Sequence, residues 1–208
     1  MQAVSDMAFL LDVLEIIKQL RLGDHVALFY KSRAEQFSAI IPYIQEGLLQ
    51  NERVLYIADD NSVPLILSKL EEAGIDVDGA RRSNALQVAT KHETYLRHGI
   101  FEPEQMLSDL QDEVEASMKA GFTGFRASGE MSWALDLPSA LSRILEYEII
   151  LQAGFHQDFL AFCQYDETRF PEHIIRGMLK AHPLVIRNGE LIKTEAHPSR
   201  FAPELAAI

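Results

Sequence analysis

The sequence predicts a three-layer α/β/α domain on a mainly parallel sheet, closed by a C-terminal hairpin. Short continuous apolar runs recur along the chain, amphipathic stretches of helix length separate them, and Asn188-Gly189 sits between two short runs near the end. Apolar runs without alternation mark strands covered on both faces, as in parallel sheets. Parallel neighbours need a long crossover, which the intervening helices supply. Asn-Gly between two strand-like runs is a two-residue hairpin turn. A chain of 208 residues, 48% hydrophobic, is long enough for one domain with a full core.

The elements follow in order. "DMAFLLDVLEIIKQL" places Phe9, Leu10, Val13, Ile16, Ile17 and Leu20 on one helical stripe, with Gly23 as a stop signal. That stripe has to cover something apolar, either its own sheet or a second subunit, and a homodimer is expected from it. "HVALFY" is a buried strand, "SRAEQFSAIIPYIQEGLLQ" a helix with Phe37, Ile40, Ile41, Ile44 and Leu48 on one face, and "RVLYIADD" the next strand. "SVPLILSKLEEAGI" is a helix and "LQVATK" a strand. "EPEQMLSDLQDEVEASMKAG" is an amphipathic helix with Pro103 near its first turn and Gly121 past its end. "FTGFRASGEM" is a strand, "PSALSRILEYEIILQAG" one helix, "DFLAFCQYD" a strand, "PEHIIRGMLKAH" a helix and "LVIRNGELIKT" the hairpin. Residues 1–21 are read as an N-terminal amphipathic helix, 22–195 as the main domain and 196–208 as a tail.

Composition removes several functions. A formal net charge of -12 would repel a phosphate backbone, so direct nucleic-acid binding is not expected. No window approaches the roughly 20 apolar residues of a membrane span, and the N-terminus lacks a basic start and a small-residue cleavage site. A cytoplasmic location with no membrane contact is the expectation. Cys163 is the one cysteine, which excludes an internal disulfide and a zinc site built on several thiolates.

"LFY" before a helix ending "EGL", then "ERVLYIADDN", "HETYLRHGIFEPEQM", "GEMSWAL", "EYE", "CQYDETRFP" and "HPLVIRNGE" together resemble the MEDS family. These are sensory domains named for methanogens, methylotrophs and a regulator of dichloromethane metabolism. The resemblance spans residues 22–195 and implies a degenerate RecA/KaiC-like fold. It also implies a small-molecule sensor, for hydrocarbon derivatives, acting on a histidine kinase, an anti-sigma module or a transcription regulator. The chain ends without such an output module, so it is expected to signal in trans, to be an excised input domain, or to have its output supplied by a genomic neighbour.

The KaiC-like resemblance puts the position of the phosphate-loop lysine near Gln36, and residues 30–35 contain no glycine. A phosphate loop needs glycines so that successive N–H groups converge on the phosphates. Lys31-Ser32 is then incidental. Asp59 and Asp60 stand where those ATPases keep an acidic pair, but Asp60-Asn61-Ser62 ahead of "VPLIL" also reads as helix capping. A non-enzymatic sensor is expected, with no cofactor. The alternatives are a nucleotide-binding ATPase relative or a thiol-dependent enzyme using Cys163.

In an open parallel sheet the ligand lies outside the carboxyl ends of the strands. That rule selects Tyr30, Asp59, Glu130, Trp133, Cys163 and Tyr165 as ligand-binding residues converging at one end of the sheet. His25 and His182 are added from the resemblance, although a strand start should lie at the opposite end. Each has a plainer reading: Trp133 as a core plug, Glu130 as a cap, Cys163 as a small buried hydrophobe. Cys163 with the two histidines could make a metal site, yet their separation lacks the short ligand spacing of zinc motifs, and no metal site is assigned.

Overall fold

The computed structural model describes residues 12–154 and 157–194. Phe9 and Leu10 of the leading stripe, and the tail 196–208, lie outside the described residues. Residues 12–19 are helical (α1). Then come β1 (His25–Tyr30), α2 (Arg33–Leu49), β2 (Arg53–Ala58), α3 (Val63–Glu72), α4 (Val77–Arg82), β3 (Leu86–Thr90), α5 (Pro103–Lys119) and β4 (Phe125–Glu130). A 3₁₀ turn (Ser132–Asp136), α6 (Pro138–Leu141), α7 (Ile144–Ala153), β5 (Phe159–Asp166), α8 (Glu172–Ala181), β6 (Leu184–Arg187) and β7 (Glu190–Lys193) complete the order.

The seven strands lie in the order β3-β2-β4-β5-β1-β6-β7. Every pair is parallel except β6 with β7, the expected hairpin. Its turn residues Asn188 and Gly189 have φ of 53° and 79°, the left-handed pair that an Asn-Gly turn of this kind requires. Side chains alternate between the two faces of each strand, and this divides the core in two. One face carries Ala27, Phe29, Leu55, Ile57, Phe125, Ala127, Ala161 and Cys163 beneath α5, α7 and α8. The other carries Val26, Leu28, Val54, Tyr56, Leu160 and Phe162 beneath α1, α2, α3 and α4.

The apolar stripe of α1 is covered within the chain. Val13, Ile16, Ile17 and Leu20 are buried and belong to the second core cluster with residues of β1, β2 and α2. The described part of the stripe is therefore taken up by the chain's own core. The expected single helix over "PSALSRILEYEIILQAG" is instead two, α6 and α7, separated at residues 142–143. Ser142 Oγ donates back to the Ser139 carbonyl, and Arg143 reaches away to Glu102, Glu104 and Glu146. These ties at the start of α5 override the local preference for one continuous helix. The short helix α4 and the 3₁₀ turn around Trp133 were not expected.

Candidate functional site

The turn after β1 is a helix cap. Ser32 is the N-cap of α2; its Oγ accepts from the Glu35 N–H at 3.2 Å, while Glu35 Oε2 accepts from the Lys31 N–H at 2.9 Å. Lys31 Nζ donates to Asn188 Oδ1 of the hairpin turn. The N-cap of α3 is Ser62, whereas Asp59 and Asp60 are held in ion pairs with Lys91 and Arg169.

Behind these caps, at the carboxyl ends of β2, β4 and β5, the first buried polar cluster fills the crevice. Glu130 Oε1 accepts from Tyr56 OH at 2.5 Å and from Asn61 Nδ2 at 2.8 Å. Its Oε2 accepts from the Asp59 and Asn61 N–H groups, both at 3.0 Å. Asn61 Nδ2 also donates to Gln36 Oε1, Gln36 Nε2 to Gln164 Oε1 at 2.8 Å, and Gln164 Nε2 to Ser128 Oγ at 2.8 Å. Two backbone N–H groups, an amide and a phenol thus grip a carboxylate of the protein itself. Burial pushes the Glu130 carboxyl up, against these hydrogen bonds, and burial with the charge of Glu130 raises the Tyr30 phenol.

The second cluster lies on the opposite face, under α7 and α8. Strand alternation puts His25 and Cys163 on this face, and the register His25 with Ala161 and Ala27 with Cys163 gives each a small neighbour across the ladder. Glu148 comes down from α7, and His182 from the end of α8. Glu148 Oε2 lies 3.1 Å from His25 Nε2, 3.3 Å from His182 Nε2 and 3.4 Å from Cys163 Sγ. Tyr165 OH donates to the other oxygen, Oε1. All of these side chains are buried. Glu148 is held well below the usual carboxylate range: burial would raise it, but His182 and His25 together outweigh burial. Burial, then Glu148, pushes the Cys163 thiol up. A thiol so disfavoured as thiolate gives the thiol-enzyme reading no support.

Trp133 belongs to neither cluster. It is fully buried, stacked on Tyr95 at 4.9 Å between ring centroids and edge-on to Phe101 at 4.8 Å, and its Nε1 has no hydrogen-bond partner. Thr94, Tyr95, Ile100 and Met106, with the polar His98, Glu102, Gln105 and Asp109, line a surface concavity of about 200 Å³. The residues expected to converge are thus distributed over three places. Tyr30, Asp59 and Glu130 lie at the carboxyl ends, His25, Cys163, Tyr165 and His182 under α7 and α8, and Trp133 in the aromatic nest.

A model of the MEDS domain, described as the methanogen/methylotroph, DcmR sensory domain, matches residues 24–183. This chain belongs to the MEDS family. It is 26% identical over 161 residues to the transcriptional repressor DcmR of Methylorubrum extorquens (strain DSM 6343 / CIP 106787 / DM4). The match covers 76% of this chain and 58% of the repressor, so the chain spans little more than half of that relative's length. Among solved structures it resembles a KaiC-like protein of Pyrococcus horikoshii OT3, with TM-score 0.54, 13% identity, and coverage of 78% of this chain and 69% of the other. An uncharacterized protein from Pyrococcus horikoshii in complex with an unknown peptide aligns with TM-score 0.63 and 13% identity, over 82% and 80% of the two chains. These two likenesses establish a KaiC-like fold. The family match makes this a sensory domain. Among the described residues no helix is long and apolar enough to cross a membrane.

Glu148, Tyr56, Asn61 and Gln164 were missed as site residues. Glu148 had a readable signal: it sits in "ILEYEIILQA", a helix with apolar residues on every side, where an unpartnered carboxylate is out of place.

Proposed function

We propose that this MEDS domain is a non-enzymatic sensor that binds a small molecule and passes the change to a regulatory partner such as a transcription regulator, a histidine kinase or an anti-sigma module. The observation that carries this reading is the filled crevice. Where a KaiC-like ATPase would hold phosphates, Gln36, Asn61, Glu130 and Gln164 bond to one another, and Glu130 takes the backbone N–H groups an anion would use. A nucleotide would have to displace a buried network in which Gln36, Gln164 and Glu130 are tied to one another through Asn61, whose Oδ1 alone of these side chains is left without a partner, and would meet a buried carboxylate with like charge. The family's sensory role and the repressor relative support the regulatory half of the reading.

The ligand position we favour is the aromatic nest. Trp133 Nε1 is a buried donor without an acceptor, and such a group is destabilising by about 1–3 kcal/mol until it finds one. The concavity outside Tyr95, at about 200 Å³, has room for a molecule of few heavy atoms, since a cavity of about 150 Å³ accepts benzene. A ligand with an apolar body and one acceptor, such as a small hydrocarbon derivative, would reach the indole by displacing the Tyr95 ring.

Trp133 is the one tryptophan of the chain, so its fluorescence reports on a single place. A panel of small alcohols, amines and halogenated hydrocarbons should contain a member that shifts this emission saturably. ATP with magnesium should leave it unchanged and show no binding by calorimetry. Trp133→Phe, which removes the N–H and keeps most of the ring volume, should weaken that ligand several-fold by calorimetry with little change in melting temperature. Tight magnesium-dependent nucleotide binding would overturn the reading.

A further inference from the structure

We propose that His25, Glu148, Cys163 and His182 form a closed, four-ligand site for one divalent ion of the zinc class, tying α7 and α8 to strands β1 and β5. The one nitrogen, oxygen or sulfur atom each residue offers lies within 4.8 Å of the other three. Zinc with nitrogen or oxygen at about 2.0 Å and sulfur at about 2.3 Å, in a tetrahedron, sets neighbouring donors about 3.3 Å apart, or about 3.5 Å where one is sulfur. The observed separations are 3.1 Å and 3.3 Å from Glu148 Oε2 to the two imidazoles, 3.4 Å to the thiol, and 3.7 Å between Cys163 Sγ and His25 Nε2.

The hydrogen bonds around the cluster point the same way. His182 Nδ1 lies 2.9 Å from the Met178 carbonyl, which can only accept, so Nδ1 carries the proton and a neutral ring turns its Nε2 lone pair into the cluster. That Nε2 is fully buried, with Glu148 Oε2 3.3 Å away in the cluster. His25 Nδ1 is likewise set against Gln152 Oε1 at 3.0 Å, leaving Nε2 toward Cys163 and Glu148. Tyr165 OH holds the oxygen of Glu148 that the ion would not use. Ligating histidines typically have their outer nitrogen on a carbonyl or other acceptor, and ligating carboxylates are themselves hydrogen-bonded. Mixed nitrogen, sulfur and oxygen donors in a tetrahedral set suit zinc better than the hard cations magnesium and calcium. With four protein ligands, all buried, the site leaves no open coordination position and is structural. The proposal is independent of where the sensed molecule binds.

Because the site is enclosed, metal is acquired as the chain folds, and the test supplies it then. The full chain is produced in cobalt-supplemented medium, and its absorption is read with cobalt content. Expected is one cobalt per chain, with the d–d bands of a four-coordinate ion and a thiolate-to-cobalt charge-transfer band. That band identifies Cys163, since the chain has no other cysteine, and distinguishes this site from the exposed His92, His98 and His173. Cys163→Ala should lose the charge-transfer band, and Tyr165→Phe should keep it while weakening retention of cobalt against a chelator about 10- to 100-fold. A folded wild-type chain, verified by circular dichroism, that shows no thiolate band would overturn the proposal. So would a band that survives in Cys163→Ala.

Discussion

Glu130 is where single-residue physics decides the character of the crevice. Its carboxyl is buried against four neutral donors. Burial outweighs those donors and raises its pKa above the ordinary 4.5. The folded state therefore holds this proton more tightly than the unfolded state, and the stability this group contributes is largest below pH 4.5 and falls as pH rises through the folded-state value. Glu130→Gln cannot titrate, so the wild type's stability relative to this variant should decline as pH is raised from 4.5, followed by urea unfolding at each pH. A relative stability that rises over that interval would mean the donors outweigh burial. The sequence showed Glu130 at a strand mouth and Gln36 in place of a lysine, but not that the two belong to one network, because the link runs through Asn61 and Gln164 from other elements. His25 and His182 posed the reverse problem. A strand start belongs at the far end from the ligand crevice, and that is where His25 stands; α8 returns antiparallel to the strands and delivers His182 beside it, with ring centroids 4.2 Å apart. The two histidines share a buried cluster with Glu148 and Cys163, on a face that strand-end reasoning does not address.

At the scale of elements, β4 and the turn segment 91–102 approach too closely for a side chain. A methyl at Gly129 would stand 1.9 Å from Tyr95 OH and 3.1 Å from its Cζ. Glycine within a strand often marks such an approach, and here it lets Tyr95 lie flat on Trp133. Gly129→Ala should destabilise the domain by about 1–3 kcal/mol, as overpacking does. Adding Tyr95→Phe, which removes the colliding oxygen, should recover part of that loss, so the two changes should be non-additive in a double-mutant cycle of unfolding free energies. Additive losses would show that Tyr95 relaxes away without its hydroxyl mattering. The order of strands and helices was legible because each buried strand is a continuous apolar run and each long helix carries a stripe. The break between α6 and α7 was not, since it depends on Arg143 finding carboxylates 39 and 41 residues away in sequence. Nor was α4, whose six residues are too few to show a period.

For the whole molecule, the question is what the leading helix does. Its stripe reads equally well as a dimer seam or a lid on its own sheet, because an amphipathic pattern specifies an apolar partner and not which chain supplies it. The sheet order decides. With β1 between β5 and β6, Val13, Ile16, Ile17 and Leu20 join Val26, Leu28 and Leu160 of the strands and Ile40 and Ile44 of α2 in one buried cluster. Ile17, 1% exposed, is part of the fold's core and not of a subunit interface. Ile17→Ala should lower unfolding free energy by about 2–5 kcal/mol, the range for buried aliphatic truncation, and light scattering should give the same mass for variant and wild type. If the variant instead kept its melting temperature and dropped from a dimer to a monomer mass, the stripe would be a seam between chains.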